Sequence, residues 1–170
     1  AGHGVFHGQV GGTISYPIFR GDLKADEVTM NGVTLTKVHS LVYYENGIVT
    51  LDRTGFHQGE KGKVSARLHY DTHSDVLRGT MDVENFDVGA LLALGNQKED
   101  RVGGAMTSHI WVGGTRDNPS LGVTGEIAAG TVAGYPVTDA ALDVSLSNHV
   151  LTIDRLTGKQ GDGSFSAMGT

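Results

Sequence analysis

Three residues of this chain have types and a spacing that chemistry can use: His69, Asp71 and His73. On an extended strand every second side chain points the same way. All three then face one side and can present nitrogen and oxygen ligands to a metal. The competing reading is plain. Lys63, Ser65 and Arg67 lead into the same face, a turn follows, and the pattern is that of a solvated strand. A zinc site wants three or four convergent ligands, so we expect no metal here and keep a His-dependent metal enzyme only as a third reading. His109 and Trp111 share a strand face and form either a small binding patch or a partly exposed aromatic. His3 and His7 lie in a Gly-rich end that reads as an unstructured terminus.

Other chemistries find less. The sequence has no G-x-S-x-G elbow, no P-loop, and no G-x-G-x-x-G between a strand and a helix. Its acidic residues are spread over turns, with no isolated carboxylate pair for glycoside chemistry. There are no cysteines, hence no disulfides, no Cys zinc site and no thiol nucleophile. A net charge of −6 with scattered Lys and Arg gives no basic stripe, and no nucleic-acid partner is expected. We expect no enzyme and no cofactor.

The elements that would position these residues are strands. Thr36, Val38, Ser40, Val42 and Tyr44 alternate with Lys37, His39, Leu41, Tyr43 and Glu45. Val64, Ala66, Leu68 and Tyr70 do the same, as do Ala140, Leu142, Val144 and Leu146; Leu121, Val123 and Ile127 share a face, and so do Met106, Ile110 and Val112. Period two is the mark of half-buried strands. Asn31–Gly32 and Asn46–Gly47 are hairpin turns, and Arg116–Pro119 is a turn closed by proline. Glycine, 26 of 170 residues against 3 prolines, suits many tight turns. One segment departs from the rule. From Asn85 to Gln97, Val88, Leu91 and Leu92 fall at helical spacing, with Asn85 or Asp87 to cap the start and Gly95 to end it. This predicts one short helix near residues 86–95, docked by its leucines.

The chain also repeats itself. "ENGIVTLDRTG" and "SNHVLTIDRLTG" share an Asn, an apolar pair and T-x-D-R. An offset of 102 carries Gly32, Thr36, Asn46, Thr50, Asp52 and Arg53 onto Gly134, Thr138, Asn148, Thr152, Asp154 and Arg155. After a gap of one residue, Val64 meets Phe165 and Ala66 meets Ala167. The internal repeat spans 32–68 and 134–168. Stacked copies bury a face that one copy cannot, and residues 1–170 read as a single fragment of a longer β-repeat array. A pair written twice argues for architecture, so Asp52, Arg53 and their copies read as strand-end charges facing water.

The later part of the chain, from about Gly79 to Thr170, resembles the AsmA-like family, and especially its TamB branch, named for the translocation and assembly module. The matching phrases are Gly114, Thr115, Pro119, Leu121 and Gly122; Tyr135, Pro136, Val137, Asp139 and Ala140; Asn148, Leu151, Ile153 and Asp154; and Gly161, Asp162, Gly163, Phe165, Ala167 and Gly169. The N-terminal third gives a looser version of them. The resemblance implies an envelope protein of diderm bacteria that spans the periplasm, anchored to the inner membrane by a helix outside this fragment. It implies a sheet curled into a taco-like trough with an apolar lumen, phospholipid transport toward the outer membrane, and outer-membrane biogenesis with a barrel protein as partner.

The combined expectation is an all-β, curled, trough-like antiparallel repeat sheet of about eleven strands. Phospholipid acyl chains would lie in a groove lined by Val38, Val42, Tyr44, Val64, Leu68, Met106, Ile110, Val112, Leu142, Val144 and Leu146. Each buried CH₂ would contribute ~0.8 kcal/mol without any polar recognition. The alternative is a surface adhesion or scaffold β-repeat module that binds protein partners through its strand edges. Either way, unpaired edges predict edge-to-edge self-association of the fragment.

Overall fold

The computed structural model describes residues 2–94 and 102–170. Eleven strands form one antiparallel sheet whose spatial order is the order of the sequence. They are β1 (Gly2–Gly12), β2 (Pro17–Met30), β3 (Val33–Glu45), β4 (Ile48–Gln58), β5 (Gly62–Asp71), β6 (Val76–Asp87), β7 (Val102–Gly114), β8 (Pro119–Val132), β9 (Tyr135–Ser147), β10 (Val150–Gln160) and β11 (Gly163–Gly169). One helix, α1 (Val88–Leu94), follows β6. Its first turn is capped by the Asp87 carboxylate, which accepts from the Ala90 amide at 2.8 Å. Gly95, the expected stop signal, lies outside the described residues.

The turns are made by the residues that tolerate them. Asn31–Gly32 and Asn46–Gly47 both hold positive φ at each position, which matches the twist of the strands they join. Gly2–Gly12, which reads from sequence as a loose end, is instead a full strand on the edge of the sheet.

Alternation puts the apolar side chains on one face. Cross-strand rows make this explicit: Val42, Leu51, Leu68, Gly79, Val112, Leu121, Leu146 and Leu151 are successive partners across eight strands. The opposite face carries His69, Arg67, Thr80, Asp82, His109 and Thr124. Bulges reset the phase. Lys37 has φ 52°, and on either side of it Leu35 and Val38 pack into the same cluster, although their spacing is odd. Thr36 therefore does not share the face of Val38 and Val42, as strict alternation predicts.

Helix α1 packs on the apolar face at the end of the sheet where β6 stops and β7 begins, against β7, β6 and β3. Beneath it and beside it lie two clusters, Val33, Leu35, Val64, Val83 and Phe86, and Val88, Met106 and Ile127. Phe86 is fully buried, and Phe56 meets it edge-on at 6.0 Å. Leu91 touches both clusters. The helix end is tied to the β2–β3 turn by Asn31, whose side-chain amide donates to the Ala93 carbonyl at 3.1 Å.

The expected trough is not formed. The sheet is open and not strongly curled, and β1 and β11 each pair with one neighbour only. Among the described residues, extensive contacts between strands run between sequence neighbours. A taco requires its two walls to rise around a lumen. Here a single layer is covered by a helix at one end of its inner strands and left open on both sides.

Candidate functional site

The eleven residues expected to line a groove do share one face, but they enclose nothing. Val64 and Met106 are buried in the clusters at α1, and Val38, Ile110 and Leu142 pack against those clusters. Val42, Tyr44, Leu68, Val112, Val144 and Leu146 are half-buried on the open sheet. A depression of ≈ 590 Å³ lies elsewhere, between Asn85, Thr107, Glu126 and Asp139, and includes none of the eleven. The groove for acyl chains is therefore withdrawn, and with it the expectations of lipid transport and outer-membrane biogenesis. The physical reason is that an acyl chain needs apolar surface on several sides, and this face offers one.

The metal candidate is spent on local bonds. The Asp71 carboxylate accepts from the amides of His73 and Ser74 at 2.9 and 3.4 Å and from the Ser74 hydroxyl at 2.7 Å. These bonds, the hydroxyl first, hold its pKa below the usual carboxylate value. His69 Nδ1 lies 3.0 Å from the Thr50 hydroxyl. Among the described residues no group of three or more His, Asp or Glu side chains gathers as ligands. His109 Nδ1 is 2.7 Å from Asp82 on the polar face, both well exposed, and Trp111 stands beside it at 42% exposure.

The repeated Asp-Arg is a bulge. Leu51 faces Leu68 and Thr54 faces Ala66, so Asp52 and Arg53 together oppose Arg67. Ile153 faces Gly169 and Leu156 faces Ala167, so Asp154 and Arg155 together oppose Met168. Asp52 is not a strand-end charge. Arg67 donates to its carboxylate at 2.7 Å and lowers its pKa. At a second bulge, Asp139, with φ 50°, accepts from Lys159 at 2.8 Å and raises the lysine's pKa.

The structural repetition runs further than the sequence phrases that announce it. β2 to β4 and β8 to β10 begin and end at matching positions under the same offset. The β1–β2 turn recurs as well: Thr13 and Tyr16 exchange backbone hydrogen bonds and the Thr13 hydroxyl accepts from the Tyr16 amide, while Thr115 and Asn118 hold the equivalent turn. The overlooked signal is G-G-T at Gly11–Thr13 and Gly113–Thr115, each followed at the same distance by proline, Pro17 and Pro119. β1 thus corresponds to β7, and β5 to β11. The single-residue gap is the β4–β5 turn, which holds Gly59, Glu60 and Lys61 where the β10–β11 turn holds Gly161 and Asp162.

This correspondence directs attention to β1 and β11, the outermost strands of the described sheet. An edge strand exposes a row of unpaired N–H and C=O groups, and proteins usually guard it with charge, proline or a bulge. β1, GHGVFHGQVGG, and β11, GSFSAMG, contain no Lys, Arg, Asp, Glu or Pro. Where interior β5 carries Lys63 and Arg67, β11 carries Ser164 and Met168. β11 is exposed along its whole length, and Phe165 and Met168 are 37% and 81% exposed.

Comparison with protein-family models, with curated proteins and with solved structures returned no match. The resemblance to the AsmA-like family gains no support from them, and none of its functional implications is carried forward. No helix among the described residues is long and apolar enough to cross a membrane.

Proposed function

We propose that the chain belongs to a β-repeat scaffold that recruits protein partners by strand addition at the edges of its sheet. The observation that carries the reading is the pair of edge strands without charge or proline. Main-chain hydrogen bonds would give such a contact its affinity, and alternate side chains its selectivity. The polar face, with exposed polar contacts such as Lys63–Glu84 and His109–Asp82, keeps one side of the sheet solvated.

The test is photo-crosslinking in the source cells. A photoreactive residue replaces Ser166 on β11 in one strain and Thr124 on the polar face in another. Protein adducts at Ser166 and none at Thr124 are expected. Adducts at Thr124 alone, or none at either position, would sink the edge reading.

A further inference from the structure

The chain has one tryptophan, and it lies on the polar face of the sheet. Trp111 belongs to a cross-strand row that runs Arg67, Thr80, Trp111, Gly122, Ser145 and Thr152. It is 42% exposed. A large aromatic side chain that enters no core is an informative exception on a solvated face. The indole leans over Gly122, where an added Cβ would collide with it. Its row neighbours are short, Thr80 on one side and Ser145 beyond Gly122, which leaves room beside the ring.

Covering Gly122 does not by itself account for the indole. The duplicated half builds the same strand pair with Gln9 and Arg20 at the equivalent positions. The repeat architecture is met there with neither an aromatic ring nor a glycine.

Hydrogen-bonding groups flank the ring. His109 Nδ1 and Asp82 lie 2.7 Å apart, Thr124 donates to Asp143 at 3.4 Å, and Arg67 donates to Asp52 at 2.7 Å. A depression of ≈ 260 Å³ opens on this face among Asp52, Ser65, Arg67, Thr80 and Asp82. Thr80 and Asp82 are the cross-strand partners of Trp111 and His109, so the ring borders this hollow. The side chains of Arg67, Asp82 and His109 are all more than half exposed and keep hydrogen-bonding capacity for a further partner.

We infer that Trp111 and the adjoining hollow form a binding site for a neutral saccharide chain. A pyranose ring has an apolar face of C–H bonds, which suits the electron-rich face of an indole. Its rim carries hydroxyls, each both donor and acceptor, which match a carboxylate paired with a guanidinium or an imidazole. The surrounding residues decide against other flat ligands. A nucleotide chain would bring phosphates against Asp52, Asp82 and Asp143. A proline-rich segment docks in a groove lined by several aromatic rings, and this face offers one. The site lies on inner strands and does not depend on contacts at β1 or β11.

The single tryptophan makes the test direct. Emission of Trp111 is followed in the whole chain as hexamers of cellulose, chitin and β-mannan are added, with decaproline for comparison. Backbone amide NMR maps the contact. At least one hexasaccharide should shift the emission saturably and move amides of β5 to β8. Trp111→Ala should abolish those amide shifts. Asp82→Ala, at an exposed position where the fold is not at stake, should weaken binding about tenfold, the loss of a hydrogen bond to a charged group. Silence from all three sugars, shifts that persist in Trp111→Ala, undiminished affinity in Asp82→Ala, or a response to decaproline alone would each overturn the inference. Crosslinking at Ser166 reports on the edge strands separately, so the two readings fail independently.

Discussion

Asp52 and Arg67 show what a repeated motif can hide. The Asp-Arg phrase occurs twice, yet only the first copy has an arginine across from it. Arg67→Gln should return the Asp52 pKa to the ordinary carboxylate range, as read by carboxyl ¹³C NMR titration. Because the folded pKa is lowered, this pair stabilises above the unfolded pKa, and the effect is lost as pH falls through the folded one. The gain is small, since Arg67 is well exposed. Phe86 is the opposite case, a side chain with no exposure. Phe86→Ala should cost about 3–5 kcal/mol in urea unfolding. Its burial was not apparent from alternation. Asn85, at φ 48°, sits in a bulge, which turns Phe86 toward the apolar side together with Val83.

Bulges govern the strands in the same way. Period two in the sequence revealed which side chains travel together, because that pattern is independent of how a sheet bends. It did not reveal where the phase slips, since Lys37 and Asp139 look like ordinary polar positions until φ is known. Lys37→Val should destabilise by about 1–2 kcal/mol, because a β-branched residue is strained at positive φ. Lys24→Val, on an extended exposed position of β2, should be near neutral in the same urea titration. The short helix was readable from the Val88, Leu91 and Leu92 spacing, and its cap from Asp87. Asp87→Ala should cost about 1 kcal/mol and speed amide exchange across Gly89 to Leu94 more than elsewhere.

Over the full sheet, stability is unevenly held. Buried apolar residues concentrate under α1, while the outer strands pack only on their neighbours. Hydrogen exchange should therefore be slowest in β5, β6 and β7 and fastest in β1 and β11. Uniform exchange would mean one cooperative unit instead of an array. The eleven strands and their antiparallel order were accessible from turn spacing and alternation. The curl was not. Whether a one-sided sheet wraps or stays open depends on bulge placement, register and what covers it, and here a helix covers one end of the inner strands. The first edge strand escaped notice because glycine at Gly2, Gly4, Gly8, Gly11 and Gly12 obscures its alternation.

Strand order that copies chain order also has a bearing on how the molecule is made. Each strand finds its partner in the segment just before it, mostly across a turn of a few residues, so loop-closure entropy is small at nearly every step. All-β proteins are usually slow to fold because their pairings are distant in sequence. This one can assemble hairpin by hairpin from either end, or in step with its own synthesis. The one longer closure joins β6 to β7 across 88–101, the interval that contains α1. That interval separates two runs of consecutive strands, and joining them is the step at which the chain becomes one sheet.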